Sequence, residues 1–176
     1  MSTLRVDTIA NTAGVTNNRV LQVVSATKTD TQTILASASL DFQEITDLNV
    51  TLTPASTSSK ILLIATVNGS IATRYGGFAF YRGTTKLTVG DADGSRTPVA
   101  FTTGGNSSRS NEQYVMNPAS GSLLDSPSTT SSTTYYLKGA AFYANNILYI
   151  NRTDVDVSAS YIVRGISTLT AMEISG

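Results

Sequence analysis

The sequence predicts an all-β protein, a jelly-roll-like antiparallel β-sandwich with an extended N-terminal arm, and three observations predict it. Ser and Thr supply 49 of the 176 residues while Glu and Lys number 3 and 4, so strong helix formers are scarce and residues suited to pleated surfaces abound. Apolar residues recur with period two in several short runs. Turn signals break those runs at roughly the 8–12-residue spacing of sandwiches and barrels. The length suits one domain, and the absence of any internal repeat or compositional break leaves residues 19–176 as a single sandwich unit preceded by an arm, residues 1–18.

The elements follow in order. In the arm, Leu4, Val6 and Ile9 are spaced apolar residues in an otherwise polar, Gly-containing stretch, too brief to hold a core alone. Strand signals begin at Arg19. From Ile34 to Phe42, residues Ile34, Ala36, Ala38, Leu40 and Phe42 share one face, which predicts a half-buried strand. Leu48, Val50 and Leu52 repeat the pattern until Pro54 ends it. Residues 60–67, KILLIATV, are apolar on both faces, as a central strand or one pressed against another subunit would be. Further strands are expected at 77–82, 86–89, 97–102, 134–143, 147–151 and 165–174, nine or ten in all. The pair flanking Ala144-Asn145-Asn146 reads as a hairpin, because Asn tolerates the positive φ of tight turns. Residues 102–133 are so rich in Ser, Gly and Asn that they read as one long surface loop, with at most a short strand at 113–116.

Composition narrows the chemistry. Twelve basic residues balance twelve acidic ones, so no net field gathers nucleic acid, an anionic membrane or an acidic substrate. The chain has neither Cys nor His, which removes disulfides, thiolate nucleophiles, imidazole bases and Cys/His zinc sites. No run approaches the roughly 20 apolar residues that would span a bilayer, and the N-terminus lacks the basic start and apolar core of a secretory signal. Membrane insertion and export are not expected.

Individual motifs are weak. Asp91-Ala92-Asp93-Gly94 resembles the start of a calcium loop, but Thr102 stands where the bidentate Glu belongs, so Asp91 and Asp93 read as an Asp-Gly turn with a marginal metal candidacy. Asp154 and Asp156 read as a solvated turn. Glu44, Glu112 and Glu173 are isolated and supply no carboxylate pair for glycoside hydrolysis. Tyr135, Tyr136, Tyr143 and Tyr149 suit either sheet faces or wet contacts with sugars and partners. The expectation is a non-enzyme with no catalytic residues and no cofactor.

Three segments, STLRVDTIANTAG at the start, LLDSPSTTSSTTYYLKG in the middle and GISTLTAMEISG at the end, resemble tail-fibre-like and other virion structural proteins of tailed bacteriophages, aquatic and cyanobacterial phages above all. The resemblance implies a β-sandwich that assembles as a homotrimer in a host cytoplasm and is fixed to the particle through its N-terminal arm. It implies a last strand near the subunit interface, where Ile166, Leu169, Met172 and Ile174 supply apolar groups on both faces. Leu4, Val6 and Ile9 would be the docking contacts on a capsid or tail protein. Unlike the long fibres, this chain has no extended shaft, which favours capsid decoration or cementing. A short tail fibre or receptor-binding knob is the alternative. In that case Asn106, Arg109, Asn111 and Tyr114 of the long loop would meet a host glycan or receptor. A sugar-binding lectin or adhesin is the third reading.

Overall fold

The structure, a computed structural model, describes residues 19–37, 41–73, 75–87, 89–104 and 112–176. Leu4, Val6, Ile9, Asn106, Arg109 and Asn111 lie outside the described residues. Among the described residues eleven strands occur: β1 (Val20–Lys28), β2 (Gln32–Leu35), β3 (Gln43–Leu52), β4 (Lys60–Ile71), β5 (Tyr75–Arg82), β6 (Thr85–Lys86), β7 (Phe101–Gly104), β8 (Asn117–Asp125), β9 (Thr133–Ala141), β10 (Ile147–Ile150) and β11 (Ser167–Ile174). A 3-10 turn at Glu112–Tyr114 joins them.

The strands form two antiparallel sheets. In the first, the order is β1-β11-β4-β10-β2, with β8 paired along β4 as well; in the second it is β3-β9-β5-β6, with β7 paired to β5. The sheets pack face to face, and the alternation that marked the strands in the sequence now sorts their side chains. Leu48 and Val50 of β3, Phe78 and Phe80 of β5 and Leu137 of β9 meet Ile61, Leu63, Ala65 and Val67 of β4, Leu148 and Ile150 of β10, and Leu169 of β11 in one buried cluster. Each such Leu, Ile or Phe contributes about 1.5–3 kcal/mol by leaving water. The two-sheet sandwich is therefore the fold that period and turn spacing predicted.

Several element expectations need correction. Of the strand expected over 34–42, β2 covers Ile34 and Leu35, the Ala36 N–H adds one more bond to the Asn146 carbonyl at 2.9 Å, Phe42 lies outside the strands, and Ala38 and Leu40 lie outside the described residues. The turn at Ala144–Asn146 does contain a positive φ, 61° at Asn145, yet its two strands lie in different sheets, so it is a corner and not a hairpin. Asn146 fixes that corner: its Oδ1 accepts from the Thr73 N–H at 2.9 Å and its Nδ2 donates to the Thr73 carbonyl.

The larger correction concerns the long loop. Within 102–133, β7 extends to Gly104, residues 112–114 form a 3-10 turn in place of the short strand, and β8 is a nine-residue strand paired with β4 from Ile61↔Asp125 to Gly69↔Asn117. Composition hid it because this strand needs little apolar bulk. Ala119 and Leu123 face inward, Gly121 between them has no Cβ where the Phe101 ring lies, and Ser120 and Ser122 face out.

Candidate functional site: the outer face of the first sheet

Strand alternation turns one set of side chains into the core and the other set outward. On β4 the inward set is Ile61, Leu63, Ala65 and Val67, leaving Leu62, Ile64 and Thr66 outside. On β11, Leu169 and Ala171 point inward while Thr170, Met172 and Ile174 point out. Leu169 is fully buried within its own sandwich, so it belongs to the core and is removed from the expected subunit-contact set. Met172 and Ile174 do lie on the outer face, half-buried, and Ile166 is exposed just before β11.

Register aligns these outward residues into rows. Val23 of β1 pairs with Met172, Met172 with Leu62, and Leu62 with Leu124 of β8, a continuous apolar row across four strands. The next row is Ser25, Thr170, Ile64 and Ser122, and the one after it Thr27, Thr168, Thr66 and Ser120. Val20 and Leu21 are exposed beside Ile174 where β1 carries a bulge. One half of the face is thus apolar and the other hydroxylic. Lys60, at its edge, is the only charged side chain among these outward positions. Sheet faces turned to water normally carry charge, whereas depletion of charge marks the cores of interfaces.

Polar clamps hold the sandwich rigid behind this face. At one end the buried Lys28 ammonium donates to Asp30 and to Thr46, each at 2.8 Å. Asn151, at φ 61°, donates from Nδ2 to the carbonyls of Lys28 and Asp30, and its Oδ1 accepts from the Ser167 hydroxyl at 2.7 Å. At the other end Arg82 pairs with Asp125 at 2.9 Å and the Tyr135 hydroxyl donates to the same carboxylate at 2.7 Å. Burial, with Asp125 beside it, pushes the Tyr135 phenol well above the usual tyrosine range.

The loop after Asn151 forms a second, smaller feature. Arg152 lies over the Tyr149 ring at 4.1 Å, and Asp156 accepts from Arg164 at 2.7 Å with Arg152 at 3.4 Å. Tyr161 is exposed, its ring meeting Tyr114 edge-on at 6.0 Å. A shallow cleft of about 470 Å3 runs between Asp156, Ser158, Ser160 and Arg164.

Of the other expected residues, Asp91 and Asp93 are exposed, Gly94 takes a positive φ and Asp93 pairs with Arg96 at 2.5 Å, as in an ordinary turn. Tyr135 and Tyr149 fill sheet faces, while Tyr143 is exposed. Among the described residues no cluster of three carboxylates, His or Cys is placed to hold a metal. Sequence reasoning missed Val23, Leu62, Ile64 and Leu124 as neighbours of Met172, because only strand register brings them together. It missed the clamps at Lys28 and Asn151 for the same reason.

No known protein-family model matches the chain, and no curated protein matches it either.

Proposed function

We propose that the chain is a non-enzymatic virion structural protein of a tailed bacteriophage, a homotrimer attached through residues 1–18 that decorates or cements the capsid surface. The observation that carries the structural role is the outer face of the first sheet, where an apolar row and two hydroxyl-rich rows span four strands with one charge at their margin. Such a surface suits permanent burial against protein better than turnover of a soluble substrate. The resemblance of the start, middle and end segments to phage virion proteins supports the particle as the place. Strand addition by Leu4, Val6 and Ile9 supplies a weak contact, and three linked copies raise its effective concentration into stable attachment.

Quantitative mass spectrometry of purified particles, scaled to the major capsid protein, tests this reading. Hundreds of copies support capsid decoration. A few to a few tens transfer the protein to the tail or a vertex, and absence from particles removes the virion reading. Deleting residues 1–18 is expected to leave a folded protein that no longer joins particles; normal recovery of the truncated chain on virions would remove the arm's role.

One observation favours the second reading, a short tail fibre or receptor-binding knob. The exposed Tyr161, backed by Tyr114 and beside the cleft at Asp156 and Arg164, has the aromatic-plus-hydrogen-bonding character that sugars prefer. Loss of host adsorption on Tyr161→Ala, at unchanged particle stability, would favour the fibre over cement. Sugar binding by the isolated protein on a glycan array would favour the lectin.

A further inference from the structure

We infer that the outer face of β1, β11, β4 and β8 is occupied by a second copy of this chain, through the row Val23, Met172, Leu62 and Leu124 together with Ile64 and Ile174. The inference deepens the homotrimer reading by naming its contact surface, and it stands or falls apart from the virion.

Three features point to a copy of the same chain. The first is charge. This face offers no cation or anion except Lys60 at its edge, so a charged partner surface would lose its hydration against it with nothing to pair. The same face on another copy is uncharged too, so no charge is left unpaired where parts of the two faces meet. The chain's net charge of zero adds no long-range repulsion between copies.

The second is size. Four strands at about 4.8 Å spacing and nine residues at about 3.4 Å give a footprint on the order of 600 Å2. The accessible area of a side-chain-covered sheet exceeds its footprint, which brings it near the roughly 800 Å2 that each partner contributes to a specific, stable interface.

The third is rigidity. All four strands are laddered to one another and the core locks their inward side chains, so the outward groups are already placed for packing and little ordering is lost on association. The face is an extension of the alternation that builds the core: β4 is apolar on both sides because both are to be covered.

The test uses the full-length protein, with mass measured by light scattering after size exclusion at micromolar concentration. The wild type is expected to run as a trimer, and Leu62→Asp and Met172→Asp as folded monomers with retained far-UV circular dichroism. Tyr161→Ser, changed on the exposed loop, is expected to remain oligomeric. Should the aspartate variants misfold, a milder pair serves. The chain has no Cys, so Val23→Cys and Tyr161→Cys each carry a single thiol. Alkylation of the native Val23→Cys protein should be about tenfold slower than that of Tyr161→Cys, as for a residue in an interface core.

A monomeric wild type, an oligomer unaffected by both aspartates, or equal alkylation of the two thiols would overturn the inference. A monomer in which the thiol at position 23 is nonetheless slow to react would overturn it in favour of the chain's own first 18 residues. A dimer dissolved by the same aspartates would support the face as the self-contact and overturn the three-fold reading instead.

Discussion

The Lys28 ammonium meets the Thr46 hydroxyl at 2.8 Å across the gap between the two sheets, with none of the lysine side chain exposed. Lys28 ends β1 in the first sheet and Thr46 lies in β3 of the second, so one side chain ties the layers where the apolar core runs out. Asp30 and Asp47, both well exposed, approach the same nitrogen at 2.8 and 4.0 Å. The hydrogen bond from Lys28 holds the Asp30 carboxyl below its usual value. Because those carboxylates face water, packing and the Thr46 bond matter more here than ion pairing. Lys28→Ala is expected to destabilise by about 2–3 kcal/mol, and Lys28→Met by less than about 1.5 kcal/mol, since Met refills the volume without a buried charge. Urea unfolding measures both; equal losses would show that charge, not packing, dominates.

At the opposite end, the Asp125 carboxylate is shared between Arg82 and the Tyr135 hydroxyl. Tyr135→Phe removes one neutral donor and leaves the ion pair, so a loss of about 1–2 kcal/mol is expected. Asp125→Leu leaves a phenol and a guanidinium without their acceptor and should cost more than Tyr135→Phe. A near-ultraviolet titration gives an independent reading, because burial and Asp125 raise the Tyr135 phenol and Tyr135→Phe should remove one phenol from the late part of the curve, which it shares with the raised Tyr81 and Tyr149. Ionisation of all tyrosines in one ordinary step would contradict the clamp.

These clamps show where sequence reading stops. The core strands were legible where alternation announces itself locally: Leu48, Val50 and Leu52 alternate with Asn49 and Thr51 whatever they pair with. The inward turn of Leu169 was not, since β11 carries apolar groups on both faces and only the position of the second sheet decides which one is core. The corner at Asn145 was legible as a positive φ but not as a change of sheet, because φ is local and sheet membership is set by partners distant in sequence. The apolar row from Val23 to Leu124 joins residues about a hundred apart, and no periodicity encodes that register. Lys28 in particular reads as one more solvated charge until β3 is laid across it.

Gly121 tests why the serine-rich segment is a strand. A Cβ built there would overlap the Phe101 ring, which itself stacks on Phe78 at 5.0 Å. Gly121→Ala is therefore expected to destabilise by about 1–3 kcal/mol through overpacking, although alanine is the better residue for an unstrained backbone. Combining it with Phe101→Leu should recover part of the loss, giving a favourable coupling between the two sites in a double-mutant cycle. Strict additivity would mean that β8 and the ring do not touch.

Glu173 should give the fold an acid limit. Its side chain is buried on the inward face of β11, where Oε2 accepts from Gln22 Nε2 at 2.5 Å and Oε1 from the Ala55 N–H at 2.7 Å. Burial alone would raise its pKa, but the donors aimed at the carboxylate outweigh that cost and hold it below the ordinary value of 4.5. A carboxyl whose folded pKa is depressed stabilises the fold fully above its unfolded pKa, and that contribution disappears as pH falls through the folded value. Glu173→Gln keeps the size but presents an NH2 to one of the two donors, so it should be less stable than the wild type at neutral pH. The gap should hold down to about pH 5 and then close on further acidification, as the wild-type carboxyl takes up its proton. Denaturant unfolding of both proteins across that range measures it, and a gap that stays constant into acid would show that the Gln22 and Ala55 bonds do not favour the charged form.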